Sequence, residues 1–250
     1  MQFGDVLRDW RGKRRRSQLD LGLSANVSAR HISFLETGRA RPSRSMVLTL
    51  CEDLEIPRPD RNRMLTAAGF APLYHARRWD AEDMAPARAA MDHMLASHAP
   101  FPGLALDRHW TVLRMNAPAE RLFGLFGIGE GDAMLEAMLD TPALLSAIEN
   151  LPELATHLAT RLRTEAAQTG GDAALEALAA RFERQAPDGS RPDGPLPAFV
   201  PTRIRLGEAR LAFLSIIAQF GTAEDIALAE IRVELMFPAD DATRDALLAS

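Results

Sequence analysis

Four arginines in the first fifth of the chain have the chemistry to bind nucleic acid: Arg30, Arg39, Arg41 and Arg44. A guanidinium group pairs with phosphate oxygens, and it also fits the guanine edge with two hydrogen bonds. Hydroxyl, amide and imidazole groups that can donate to the same partners lie around them. The predicted DNA contacts are therefore Ser17, Gln18, Ser28, Ala29, Arg30, His31, Ser33, Arg39, Arg41 and Arg44.

Two short helices are predicted to carry these side chains. Ser17 is a suitable N-cap for a helix over 18–24, and Ser28 is a suitable N-cap for a second helix over 29–37. Asn26 lies between them, and asparagine tolerates the left-handed backbone of a tight turn. A pair of this kind presents its second helix to the major groove, which is wide enough for one helix.

Each part of this helix pair has an expected role. Arg30 and His31, at the start of the second helix, are predicted to donate to base edges or phosphates. Gln18 is predicted to bind a phosphate together with the helix amides, and the arginines after the second helix are expected to clamp the backbone. Gly22 is expected to let the second helix pack closely. The predicted core between the helices is Leu21, Val27, Ile32 and Leu35.

The same segment resembles the XRE family of helix-turn-helix regulators, which includes phage repressor and Cro-like domains. The resemblance covers residues 3–69 and implies a five-helix DNA-binding domain. Two positions depart from the family, because Asn26 stands where glycine is usual and Gly22 where alanine is usual. The matching residues are Ser17-Gln18, Leu21, Val27-Ser28, Ile32-Ser33, Leu35-Glu36, Gly38 and Arg41-Pro42-Ser43.

Charge divides the chain into a basic first part and an acidic remainder. Residues 1–80 hold 15 Lys and Arg against 9 Asp and Glu, whereas residues 81–250 hold 14 against 25. A basic block supplies affinity for phosphates, so this asymmetry indicates two domains with different partners. The predicted divisions are a DNA-binding domain over 1–70, a connector with a helix over 71–98, and a second domain over 99–250.

The pattern of apolar residues changes after the connector and predicts an α+β domain. Apolar and polar residues alternate across 229–237, which is typical of a strand with one buried face. The order of strands, helices and strands predicts an antiparallel five-stranded sheet with helices on one side. The expected elements are a connector helix at 80–97, strands at 101–106 and 110–115, a helix capped by Asn116, three helices within 132–186 broken near Pro152, a loop at 187–198, strands at 199–206, 210–219 and 227–237, and a helix from Asp241.

Both ends of this second part resemble the ligand-binding domain of MmyB-like regulators. The resemblance lies in Ala99–Asn116 and Glu234–Thr243, and it extends over about 85–248. It implies a PAS-like fold and a small lipophilic ligand such as a fatty acid. Pockets form between the sheet and the helices of such a domain. The expected wall residues are Trp110, Phe123, Phe126, Phe213 and Leu235, with core packing as the alternative for each.

The sequence predicts no catalytic, metal or cofactor site. The histidines lack the spacing of metal ligands, and there is neither a GxSxG motif nor a phosphate-binding glycine loop. Cys51 lies on the apolar side of a predicted helix and is expected to be buried. The chain has no apolar run of membrane-spanning length and no signal-peptide core, so a cytoplasmic protein without membrane association is expected.

These features together predict a sequence-specific DNA-binding transcriptional regulator rather than an enzyme. Its second domain is expected to sense the ligand and to mediate dimerisation. A homodimer would read a palindromic operator with half-sites about 34 Å apart. Two alternatives stay open: a protein-interaction regulator (antitoxin-like or an anti-regulator) without a small-molecule ligand, and an enzyme with a helix-turn-helix appendage, against which the lack of a paired nucleophile and base argues.

Overall fold

The computed structural model describes residues 2–186, 199–221 and 225–249. The chain forms two compact units, the first built mainly from residues up to Ala76 and the second mainly from Arg77 onward. Within the described residues, no helix is both long enough and apolar enough to span a bilayer. The predicted loop at 187–198 lies outside the described residues.

The first unit contains the five predicted helices. Their order and positions confirm an all-α domain, and serines begin three of them as N-caps. The Ser17, Ser28 and Ser43 hydroxyls accept hydrogen bonds from the amides of Asp20, His31 and Met46. The helices are α1 (Phe3–Lys13), α2 (Gln18–Ser24), α3 (Ala29–Glu36), α4 (Arg44–Asp53) and α5 (Arg58–Ala67).

Two backbone features bring α2 and α3 close together. Asn26 adopts a φ of 55°, so the turn between the helices uses the left-handed backbone that was predicted there. A Cβ atom at Gly22 would lie 2.8 Å from the Val27 carbonyl oxygen, which confirms that this glycine permits a close approach. Leu21, Ile32 and Leu35 are buried in the core of the unit.

The second unit is the predicted α+β domain with a five-stranded antiparallel sheet. Its strands are β1 (Gly103–Leu106), β2 (Val112–Met115), β3 (Thr202–Leu206), β4 (Ala209–Gln219) and β5 (Arg232–Pro238), in the spatial order β2-β1-β5-β4-β3. Its helices are α6 (Ala85–Ser97), α7 (Ala117–Gly124), α8 (Met134–Asp140), α9 (Pro142–Ala147), α10 (Leu151–Gln168), α11 (Ala173–Glu183), α12 (Ile226–Glu230) and α13 (Asp241–Leu248).

Helices cover both faces of this sheet, which corrects the expectation that they lie on one side. The larger core joins α7–α11 to one face and includes Phe182 and Phe213. The connector helix α6 covers the other face through Met91 and Leu95, which pack against Val233. The connector helix is therefore part of the second unit rather than a free spacer.

Several predicted boundaries move for identifiable reasons. Trp110 is not in a strand: it has a φ of 64° and completes the turn between β1 and β2, in which Asp107 accepts the amides of His109 and Thr111. The predicted break near Pro152 is confirmed, because α9 ends at Ala147 and α10 begins at Leu151, with Pro152 in its first turn, where proline is tolerated. A second break at Thr141 separates α8 from α9, so the region 132–186 contains four helices instead of the three predicted.

The last predicted strand also differs. Residues 226–230 form α12, so the strand starts at Arg232 rather than at 227. Arg232 is buried although its charge predicted an exposed face. The ion pair described below explains this burial, and both faces of β5 are covered.

Candidate functional site

Arg30 on α3 and Arg39 in the loop after it form an exposed surface, here called the arginine face, at the position predicted for DNA contact. Arg30 is exposed, and its guanidinium lies 5.1 Å from the centre of the Phe34 ring. Arg39 contacts the same ring at 6.0 Å. Phe34 therefore holds one arginine from the helix and one from the loop after it on a shared surface.

The other predicted contacts differ in how much of each side chain is free. Ser17, Ser28, Arg41 and Arg44 are exposed, whereas Ala29, His31 and Ser33 are partly buried. Ser17 forms a capping box with Asp20, and its hydroxyl donates to that carboxylate at 2.7 Å. The Ser17 hydroxyl is therefore engaged as a cap, and the neighbouring carboxylate would repel a phosphate at that point.

Gln18 has a structural partner that the sequence did not reveal. Its Nε2 donates to Oε2 of Glu36 at 2.7 Å, so one of the two amide hydrogens is engaged inside the domain. The second hydrogen remains for a phosphate or for water, and the carbonyl oxygen of the side chain can accept a hydrogen bond from water. This bond fixes the side chain at the N-terminus of α2.

Glu36 is the centre of a buried polar network behind α3. Its side chain is 2% exposed, and Arg11 binds it with two hydrogen bonds, at 2.6 and 3.1 Å. Arg8 donates to the Glu36 carbonyl oxygen at 2.9 Å. Burial raises the pKa of the Glu36 carboxyl, but the bonds from Arg11 and Gln18 outweigh burial and hold the pKa below its usual range. The network joins α1 and α2 to the end of α3.

An apolar cavity of about 240 Å³ lies in the second unit, between the sheet and the helices that cover its larger core. Small-molecule sites usually enclose roughly 300–1,000 Å³, so the space suits a slender ligand. Its apolar lining includes Leu104, Phe123, Met134, Met138, Leu144, Ile148, Leu154, Leu158, Phe199, Ile204 and Met236.

The structure places the five expected wall residues in three different environments. Trp110 and Phe123 line the cavity. Phe213 is fully buried in the core, and Phe126 packs against that core from its edge. Leu235 lies on the opposite face of the sheet, where it packs against the α6 cluster, because side chains alternate between the two faces along β5 and those of Glu234 and Met236 line the cavity.

Trp110 is in contact with two cations at one part of the cavity wall. The guanidinium groups of Arg161 and Arg232 lie 4.5 and 5.0 Å from the centre of its ring. Glu165 binds Arg161 at 2.9 Å and Arg232 at 2.7 Å, and it accepts the indole N–H at 3.2 Å. Burial raises the pKa of the Glu165 carboxyl, but the two arginines outweigh it and lower the pKa overall.

The remaining polar lining comes from four elements. It consists of His157 and Arg161 on α10, Thr202 on β3, Ser215 on β4 and Glu234 on β5. Burial, followed by the charge of Arg161, lowers the pKa of His157. Sequence reasoning missed this set because its members are far apart in the chain and only the fold brings them together.

Two family models match the chain, and they coincide with these two regions. A model described as a helix-turn-helix domain matches residues 2–64, which contain the arginine face and the Glu36 network. A model described as the MmyB-like transcription regulator ligand binding domain matches residues 87–249, which contain the cavity. No curated protein matches the chain. Both matched families are domains of transcription regulators, one for binding DNA and one for binding a ligand.

Proposed function

Because the chain belongs to the MmyB-like transcription regulator ligand binding domain family and carries a helix-turn-helix domain, we propose that it is a sequence-specific transcriptional regulator whose DNA binding responds to a small lipophilic ligand. The observation that carries the proposal is the pairing of an exposed arginine face in one unit with an apolar cavity in the other. The place of action follows from the function, so we expect the protein in the cytoplasm.

Ser28 and the residues after it support recognition of base edges by α3. The N-cap at Ser28 fixes the start of the helix, and Arg30 follows two residues later on the exposed side. Arg30 and His31 are assigned to bases, whereas Arg39, Arg41 and Arg44 are assigned to the phosphate backbone. Gln18, Ala29 and Ser33 complete this surface, and Ser17 acts through its cap.

The volume and lining of the cavity support a fatty-acid-like ligand. A small space lined by leucine, methionine and phenylalanine takes up an aliphatic chain, and burying each CH₂ group contributes about 0.8 kcal/mol. Trp110 and Phe123 are the aromatic walls of this ligand site.

The protein acts as a homodimer, because two related recognition helices read the two halves of a palindromic operator. The second domain joins the two copies.

A selection of bound DNA from a random library tests the proposal. The full chain is expected to enrich a palindrome whose half-sites are centred about 34 Å apart, or a multiple of that distance. The selected operator is then titrated with the protein in the presence and absence of octanoate. A change in operator affinity is expected because the ligand must favour one state of the protein.

Two results would contradict parts of this proposal. Failure to enrich any sequence, together with capture of a stable protein partner, would favour a protein-interaction regulator instead. Enrichment of a single half-site by a monomeric protein in sedimentation experiments would remove the homodimer and leave the DNA-binding function in place.

A further inference from the structure

We propose that the cavity selects an aliphatic ligand that carries a hydroxyl group, and that Arg161 and Glu234 bind this hydroxyl. The inference rests on the proposed function, since it defines which lipophilic ligand the second unit senses. Both side chains line the same cavity, one from α10 and the other from β5.

Arg161 keeps hydrogen-bond donors free. Its Nε donates to Glu165 at 2.9 Å, and its guanidinium lies 4.5 Å from the centre of the Trp110 ring. Among the described residues, neither of its Nη atoms has a protein acceptor. The stacking on Trp110 holds the group in place, so its remaining N–H bonds are directed without further loss of side-chain freedom.

Glu234 supplies the complementary acceptor. It lies in the middle of the sheet, paired with Leu104 on β1 and with Ile217 on β4. The side chain is partly buried and lines the cavity. Within the described part of the chain, no donor bonds to its carboxylate, because Arg161 and Arg232 both pair with Glu165 instead.

This arrangement discriminates among ligand head groups by charge. A ligand carboxylate would be attracted by Arg161 but repelled by Glu234. An ammonium group would be attracted by Glu234 but repelled by Arg161. A hydroxyl carries one donor and two acceptor positions, so it can donate to Glu234 and accept from Arg161 at the same time. The uncharged group also avoids the cost of moving a ligand charge out of water.

The neighbouring side chains are compatible with the same group. Thr202 and Ser215 line the cavity with neutral hydroxyls. Burial and the charge of Arg161 lower the pKa of His157, which favours its neutral imidazole over a positive charge that would attract a carboxylate. The polar lining therefore presents hydrogen bonds from Arg161 and Glu234 with little excess charge of either sign.

Calorimetric titration of the full chain with octan-1-ol, octanoate and octylamine tests this inference, since the three probes share one chain length. The wild-type protein is expected to bind octan-1-ol at least about tenfold more tightly than octanoate, which is the scale of one charge-assisted hydrogen bond. Glu234→Gln should weaken the binding of octan-1-ol and strengthen the binding of octanoate, so that the ratio of their affinities becomes smaller or reverses. Glu208→Gln is the matched control, because Glu208 is exposed between β3 and β4 and does not line the cavity.

Each outcome has a distinct meaning. If the wild type binds octanoate more tightly than octan-1-ol, the inferred preference for a hydroxyl group is wrong, and the fatty-acid-like ligand of the proposed function remains. If the wild type binds octylamine more tightly than octan-1-ol, both the preference for a hydroxyl group and the role of Arg161 as its donor are wrong. If none of the three probes binds, the lipophilic ligand itself is wrong. An equal change of all three probes in Glu234→Gln, with an unchanged ranking, also overturns the inference.

Discussion

Arg30 and Arg41 carry the same charge, but their positions predict different consequences of removing them. Arg30 lies near the start of α3, where side chains reach base edges. We expect Arg30→Ala to reduce discrimination at one base pair of the operator by about 1–3 kcal/mol. Competition between the selected operator and operators changed at single positions measures this loss.

Arg41 lies in the loop after α3 and is exposed. We expect Arg41→Ala to weaken binding to all sequences alike and to lower the slope of log affinity against log salt by about one, because one phosphate contact is lost. Titrations at several salt concentrations check this. Equal behaviour of the Arg30 and Arg41 variants would contradict the division between base and phosphate contacts.

Glu36 predicts how the stability of the first unit depends on pH. Its pKa is lower in the folded state than in the unfolded chain, so its contribution to stability is present above the usual glutamate pKa of about 4.3 and is lost as pH falls through the folded value. Urea unfolding at a series of acidic pH values should show this loss. The Glu36→Gln variant should have a shallower dependence over the same interval, and an identical curve would exclude Glu36 as its source.

At the scale of elements, helix α1 offers a matched pair of glycines. A Cβ atom at Gly4 would lie 2.4 Å from the Glu36 carbonyl oxygen, whereas one at Gly12 would meet nothing within 4 Å. Gly4→Ala is therefore expected to destabilise the first unit by about 1–3 kcal/mol through overpacking. Gly12→Ala should be neutral or stabilising by up to about 1 kcal/mol, because alanine has the higher helix propensity. Calorimetric unfolding distinguishes the two, and equal shifts would show that α1 and α3 are not in close contact there.

The elements also show what the sequence can and cannot predict. The helices of the first unit follow from local signals, since Ser17, Ser28 and Asn26 determine caps and a turn within a few residues. Strand β5 could not be bounded in this way. The strand was predicted to start too early, because the alternation of apolar and polar residues already includes Ala229 and Glu230 at the end of α12. Arg232 is buried with a partner, Glu165, that is 67 residues away in the chain.

The same limit applies to the candidate sites. The residues of the arginine face lie close together in the sequence, so local patterns are enough to place them in and just after one helix, and their contacts with DNA stay a prediction. The polar lining of the cavity and the Arg11–Glu36 pair depend on contacts between segments that are distant in the sequence. A local sequence pattern does not predict such contacts. Leu235 shows the consequence for a sheet: its apolar character was clear, but which face it occupies depends on the covering helices.

At the scale of the whole molecule, the proposed function predicts reciprocal coupling between ligand and operator. If octan-1-ol changes operator affinity by some factor, operator DNA must change octan-1-ol affinity by the same factor, which for regulators is typically about 5–150-fold. Four dissociation constants, measured by calorimetry and by fluorescence anisotropy on the full chain, test the equality. Unequal factors would mean that the two ligands do not act on one shared equilibrium.

The Glu36 network also limits how this sequence can diverge during evolution. Losing Arg11 alone would remove the two hydrogen bonds that a guanidinium gives to the buried Glu36 carboxylate, at a cost of up to about 3–5 kcal/mol, whereas replacing the whole set by apolar residues of similar size can be neutral. Substituting these residues one at a time therefore passes through less stable variants. Arg11, Gln18 and Glu36 are expected to be inherited together. The surface arginines outside this group are then free to change one at a time, so a lineage can acquire a new operator without rebuilding the fold that carries it.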